Sequence, residues 1–185
     1  EMMRKGAECP HIYVTAGSKP RVHAEPRSWK KINPGDTVEI VISADHNGYY
    51  SNLTRTVFLG GLSSEKRKAY EAFMKTHQIV EENLKPETKL IDIQNMIGKL
   101  LENEGYRDYY VIGFAHGVGL LPEEDPITTI VGPHRQYKVM ENMTLAAIHA
   151  PLTIPEIGTI KFEDTYWIKP EKPEKLTKFD YELTL

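Results

Sequence analysis

One cysteine, Cys9, is all the chain contains, which excludes an internal disulfide framework and fits a reducing compartment. Long apolar runs are missing too: none approaches the roughly 18 residues of a membrane span, and no signal peptide is visible. Basic residues form no run, and the formal net charge is -3, so the composition gives no support for nucleic-acid or membrane-surface binding. Sequence repeats and low-complexity tracts are absent. What is there is ordinary. Hydrophobic residues make up 40% and charged residues 26% of 185 positions, enough for one domain with a sizeable core. A cytoplasmic protein is the default expectation.

Both ends carry local signals. Glu1-Met2-Met3-Arg4-Lys5-Gly6 reads as a helix end closed by glycine, so a further segment is expected upstream. At the other end, Lys169-Pro170-Glu171-Lys172-Pro173 opens a charged, proline-broken stretch, so residues 169–185 are expected to be a tail or edge segment of a single domain spanning 1–185.

The most legible segment is 38–59. Asn47-Gly48 is a strong two-residue hairpin signal between two runs of β-formers. Val38, Ile40 and Ile42 define one face, read as core, and Glu39, Val41 and Ser43 the other. With Asn47-Gly48 as turn residues, His46 faces Tyr49, Ser43 faces Asn52, Val41 faces Thr54 and Glu39 faces Thr56. The second face is then either a half-polar sheet surface or the wall of a site. Ser63-Ser64-Glu65 supplies an N-cap and acidic first turn for a helix carrying Tyr70, Phe73, Met74, His77 and Val80 at helical spacing. His77, inside that stripe, reads as structural. Pro86 separates a second helix with a stripe of Ile93, Met96, Ile97, Leu100 and Leu101 and a glycine stop at Gly105. Residues 109–114 read as a strand leading into Ala115-His116-Gly117-Val118-Gly119-Leu120, where the glycines let backbone pass close to a ligand. Segments 143–147 and 158–168 complete an α+β fold, with helices on one face of a mostly antiparallel sheet.

Four pieces then fall in order: His23 within Arg21-Val22-His23-Ala24-Glu25-Pro26; the hairpin from Gly35-Asp36 to Leu53-Thr54-Arg55-Thr56; His116-Gly117-Val118-Gly119-Leu120; and Phe162-Glu163-Asp164-Thr165. Over residues 17–168 the chain resembles the creatinase/aminopeptidase/prolidase family, peptidase class M24, of the Xaa-Pro dipeptidase and creatinase-like branch. The resemblance implies the pita-bread fold, a curved sheet with a central site, and further N-terminal parts.

It also implies a ligand set. Family peptidases hold two divalent metals with two Asp, one His and two Glu, because adjacent hard cations need anionic oxygens to neutralise and bridge them. The first Asp place is Val41 and the second Asn52. The histidine matches His116, the first Glu falls at Ile148 or His149, and the last matches Glu163. A substrate-steadying histidine of the family falls at Glu123, and His23 matches an upstream histidine that contacts substrate. No metal is therefore expected, with a single ion on His116, His149 and Glu163 as the alternative. Glu39 shares the face of Val41.

The leading functional expectation is a metal-independent hydrolase acting on a C–N bond of a small molecule, as creatinase does on this fold. His23, His116 and Glu163 would be catalytic, and Asn52, Glu123 and His149 would bind substrate. The alternatives are a catalytically silent binding protein and an Xaa-Pro peptidase with an atypical single metal. Expected partners are a small-molecule or peptide substrate and a second copy of the chain, with no nucleic acid and no membrane.

Overall fold

The computed structural model describes residues 1–18, 28–181 and 184. The chain opens with a short 3-10 turn at Met3–Lys5, closed by Gly6 at φ +102. Strands β1 (His11–Ala16), β2 (Thr37–His46) and β3 (Tyr49–Phe58) follow, in an antiparallel sheet of that order. The β2–β3 turn takes φ +52 at Asn47 and +80 at Gly48, the left-handed pair a two-residue hairpin turn demands. Every expected pairing holds: His46 with Tyr49, Ser43 with Asn52, Val41 with Thr54, Glu39 with Thr56. The assignment of faces needs correction. Val38 is buried as expected, but Ile40 and Ile42 are only half-buried, whereas Glu39, Ser43 and Asn52 on the other face are buried and Val41 is half-buried. The polar face is the inner one because the rest of the domain closes over it.

Helix α1 (Ser64–Asn83) begins at the expected cap, with the Ser63 hydroxyl accepting from Lys66 N–H. Helix α2 (Leu90–Asn103) ends with Gly105 at φ +80, one residue past the cap. The buried stripe of α2 runs through Leu90, Ile93, Ile97 and Leu101, leaving Met96 exposed on the flank. With Phe73 and Val80 of α1 these side chains pack against Phe114, Leu145 and Phe162, and each such burial contributes about 1.5–3 kcal/mol. His77 is buried among Phe73 and Tyr181 at the helix–tail junction. Burial, with Arg55 and Lys175 nearby, pushes its pKa down to about 3, so it is a neutral core group.

Residues 109–114 do not form the expected strand. A 3-10 turn at Arg107–Tyr109 and one bridge from Tyr110 to Leu152 precede a bend at Ile112 and then Gly113 at φ +97. A Cβ there would lie 2.6–2.7 Å from the backbone of Thr128 and Thr129, so glycine is required for the chains to pass. The strand proper is β4 (Ala115–Gly117). It is followed by β5 (Glu124–Ile127), β6 (Thr144–Ala147), β7 (Leu152–Ile154), β8 (Gly158–Ile160), β9 (Asp164–Trp167) and β10 (Glu174–Lys175). Five of these form an antiparallel sheet in the order β10-β9-β6-β4-β5, and β7 and β8 make a separate hairpin. Segment 158–168 is thus two strands, interrupted at Lys161, Phe162 and Glu163.

The two larger sheets meet through β3. Thr54 and Glu163 exchange both backbone hydrogen bonds, at 3.0 and 3.1 Å. Asn52 N–H donates to Thr165 Oγ1 at 2.9 Å, and Tyr50 N–H donates to Gly119 O at 2.7 Å. Arg55 clamps the junction from outside: it is 3% exposed, pairs with Asp164 at 2.8 Å and donates to the carbonyls of Thr54, Glu163, Phe179 and Asp180. The mixed helix and antiparallel sheet architecture is the one expected.

Candidate functional site

The interruption between β8 and β9 turns Glu163 inward against β3 and β4. Glu163 is 1% exposed and collects four side chains. Thr54 Oγ1 donates to its Oε2 at 2.7 Å, and Lys161 Nζ lies 3.5 Å from the same oxygen. His116 Nε2 and His149 Nδ1 meet its Oε1 at 3.1 and 2.9 Å. Burial alone would raise this carboxyl, but Lys161 and the two imidazoles hold its pKa well below the ordinary range.

The two histidines differ. His116, fully buried on β4, has Nδ1 2.8 Å from Gly117 O and Nε2 on Glu163, an acceptor at each nitrogen. That geometry suits the doubly protonated ring. Burial works against the charge, but the Glu163 hydrogen bond and charge raise its pKa. His149 follows β6 and stands edge-on to His116, centroids 4.6 Å apart at 85°. Its pKa is lowered by burial and by the Lys161 ammonium, 3.3 Å from Nδ1. With Nδ1 toward Glu163, Nε2 faces Glu123 at 4.0 Å, and Glu123 is half-exposed at the rim. Of the two candidates, Ile148 takes φ +66 and sinks into the core, while His149 reaches Glu163.

The hairpin contributes different chemistry. Val41 offers no donor. The Asn52 amide is held at both ends, Oδ1 accepting from Ser43 Oγ and Nδ2 donating to Pro122 O, each at 2.7 Å. Glu39 is 1% exposed with neither carboxyl oxygen hydrogen-bonded among the described residues. Desolvation, tempered by Lys161 and reinforced by Glu163, raises its pKa to about 7.

The structure therefore brings together His116, His149 and Glu163, with Glu123 at the rim and Asn52 on the facing wall. The expectation for His23 lies outside the described residues. Sequence reading missed Lys161 and Thr54. Lys161 stands two residues before Glu163, the spacing that puts both on one side of an extended segment. The two glycines after His116 also serve strand packing. A Cβ on Gly117 would lie 2.4 Å from Asp125 O, and one on Gly119 2.7 Å from the Glu124 carboxylate. These glycines let β5 approach β4, and Gly119 also lines a cavity with Tyr49, Glu124 and Met143. Among the described residues, His116, Glu123 and His149 form a group whose ligand atoms lie within 4.8 Å of one another.

Two histidines and a carboxylate thus meet at an inner site backed by a β-hairpin and flanked by antiparallel strands and two helices. Residues 1–170 match the family model for metallopeptidase family M24, and the chain belongs to that family. It is 29% identical over 184 residues to an Xaa-Pro dipeptidase of Pyrococcus furiosus, covering 98% of this chain and 52% of that protein. The crystal structure of the prolidase from Pyrococcus horikoshii superposes with a TM-score of 0.86 at 27% identity, over 98% of this chain and 52% of that one. An Xaa-Pro dipeptidase from Bacillus anthracis gives 0.88 at 26% identity, over 99% and 51%. The chain thus spans about half the length of the relatives it matches, and its fold is the pita-bread fold of that family. No helix among the described residues is long and apolar enough to cross a membrane.

Proposed function

We propose that this domain is a metal-independent hydrolase of the M24 fold that cleaves a C–N bond in a small amide, amidine or peptide. The observation that carries the reading is Lys161, whose ammonium stands 3.5 Å from Glu163 Oε2 and 3.3 Å from His149 Nδ1. The residues do not fit a dimetal cluster. Val41 has no donor, both ends of the Asn52 amide are engaged, and a fixed cation already sits against the last carboxylate. Two divalent ions beside that ammonium would lack the anionic oxygens that offset their repulsion.

The same set supports hydrolysis without metal. Glu163 orients His149 through Nδ1, which leaves Nε2 as the basic atom toward the rim. His149 takes a proton from water as its oxygen adds to the substrate carbon. Positive charge on Lys161 and His116 stabilises the oxyanion of an amide or peptide adduct, whereas an amidinium is discharged to a neutral adduct as water adds. His149 then returns the proton to the leaving nitrogen as the C–N bond breaks, and Glu163 stays ionised throughout. Glu123 and Asn52 line the approach.

A second reading is an Xaa-Pro peptidase with one ion, favoured by the grouping of His116, Glu123 and His149; two histidines and a carboxylate are a known zinc set. Turnover of a dipeptide, amide and amidine panel with excess chelator separates the two. Activity that survives chelation and falls at least 100-fold in His149→Ala supports the metal-free reading. Activity restored only by added zinc, manganese or cobalt sinks it.

A further inference from the structure

Thr54 and Glu163 meet in an isolated bridge, where β3 touches the break before β9. Side chains alternate along a strand, so Thr54 points inward and Arg55 outward. The inward hydroxyl donates to Glu163 Oε2 at 2.7 Å. The outward guanidinium caps the same bridge from behind. Its Nη1 donates to Thr54 O at 2.8 Å and to Glu163 O at 3.0 Å, the two carbonyls that already close the bridge. Its Nη2 donates to Asp164 Oδ1 and to Phe179 O, each at 2.8 Å, and its Nε to Asp180 O at 3.0 Å. A guanidinium has five N–H donors, and these contacts use all of them. One buried side chain therefore ties together β3, the start of β9 and residues 176–181. That last stretch has its own anchors. Leu176 N–H donates to Thr165 O at 2.9 Å, and Thr177 Oγ1 donates to Asp164 Oδ1 and accepts from Thr165 N–H. The Tyr181 ring centroid lies 4.6 Å from the guanidinium carbon.

We propose that Arg55 is a positioning residue that aims the Glu163 carboxylate at His116 and His149, and that residues 176–181 belong to the site through it. A buried ion pair adds little net stability over an apolar pair of the same shape, because desolvation offsets the attraction. A guanidinium with every donor engaged adds direction instead, since it has no slack to swing. Arg55 fixes the backbone of Glu163 while Thr54 fixes its side chain. A lysine keeps the charge beside Asp164 but cannot span four carbonyls, so the Glu163 peptide is free to turn and both imidazoles lose a fixed acceptor. The inference rests on the hydrolase reading for the use of Glu163, but its first readout needs no turnover.

The test compares the intact protein with Arg55→Lys, Thr177→Val and, as a control for general destabilisation, Ile97→Ala in the core of α2. Nitrogen NMR at neutral pH reads the imidazole rings of each folded protein. Arg55→Lys and Thr177→Val are expected to shift the His116 Nε2 and His149 Nδ1 resonances, the two atoms that meet Glu163 Oε1. Ile97→Ala is expected to melt lower and leave both in place. On any substrate the parent protein turns over, Arg55→Lys is expected to lower kcat by on the order of 100-fold with KM nearly unchanged. Parent-like resonances in both site variants overturn the proposal and leave Arg55 a group of the fold, and an equal shift in Ile97→Ala overturns it as well. A shift in Arg55→Lys alone removes residues 176–181 from it. If Arg55→Lys does not fold, Thr177→Val decides by the same criterion. Absence of turnover in the parent sinks the hydrolase reading and leaves the resonance comparison standing.

Discussion

On the hairpin wall, Glu39 is a carboxyl without a hydrogen-bond partner among the described residues, Val41 is apolar, and the Asn52 amide is held at both ends, by Ser43 and by Pro122 O. On the facing wall, His116, His149, Lys161 and Glu163 form a connected charged network. The hairpin is in register throughout, whereas the facing wall combines laddered pairing of β4, β6 and β9 with a register shift at His116/Gly117 and the strand break before Asp164. The hairpin wall keeps its shape through main-chain pairing and neutral hydrogen bonds, whereas the facing wall depends on one carboxylate.

The largest test of that contrast is Glu163→Gln. The change leaves the Lys161 ammonium and the His116 ring without their buried anion and is expected to cost about 3–5 kcal/mol in denaturant unfolding at pH 7, with turnover lost. The pH sign follows from the depressed Glu163 carboxyl. Its contribution is present above the unfolded carboxyl value and lost as pH falls through the lower folded value. The raised His116 contribution is complete below the unfolded imidazole value and lost as pH rises through the folded one. The variant should therefore approach the parent in stability at acid pH. A deficit under 1 kcal/mol at pH 7 would mean that the facing wall does not depend on Glu163.

Glu39 gives the opposite sign. Its carboxyl, raised to about 7 from an ordinary 4.5, keeps a proton in the folded state that the unfolded chain has lost. Stability from this group is complete below pH 4.5 and falls as pH rises to 7, by on the order of 3 kcal/mol in all. His77, lowered to about 3, works the other way between pH 3 and 6.5, so the two nearly cancel in the parent protein over pH 4.5–6.5. Subtraction isolates the first: the stability of Glu39→Gln relative to the parent should climb steadily from pH 4.5 to 7. A flat difference would show that Glu39 is ionised or paired throughout.

Asn52→Asp sharpens the comparison by making the hairpin wall acidic. Ser43 can still donate to the new side chain, but Pro122 O loses its donor and faces a carboxylate. A cost of about 2 kcal/mol at pH 7 is expected. Metal analysis should find no bound divalent ion, because Lys161 remains in place. Stoichiometric zinc in this single variant would mean that one missing carboxylate was all that kept metal out.

How much of this was legible in the sequence follows the same division. The hairpin could be read to the residue because Asn47-Gly48 fixes the turn and a two-residue period fixes the faces. Which face turned inward could not be read that way: Ile40 and Ile42 looked like core, and only the tertiary closure over Glu39 and Asn52 reversed the assignment. His116 and Glu163 were visible through their motifs, and His149 stood as one of two neighbouring candidates, of which only the structure shows Ile148 sinking into the core. Lys161 carried no motif. Its role arises from a strand break at Phe162 and from long-range pairing of Glu163 with Thr54, contacts 105–109 residues apart in the chain. Local pattern cannot encode a meeting of that kind.

Ser43→Ala is the smallest of these changes and the most diagnostic of how the hairpin wall is held. The hydroxyl donates to Asn52 Oδ1 inside a buried pair, so its removal leaves one amide oxygen without a donor while the Pro122 contact survives. The expected loss is about 1 kcal/mol, at the low end for a buried polar group because the neutral amide can tilt toward a water. On the facing wall the loss of a single partner strands a full charge; here it strands half of an amide. Denaturant unfolding of the Ser43→Ala and Glu163→Gln variants and of the double variant checks the independence of the walls. Additivity within about 0.5 kcal/mol is expected for groups with no shared partner. A coupling above 1 kcal/mol would show that Asn52 and Glu163 communicate through Thr165 and the β3–β9 junction, and the site would then have to be treated as one network.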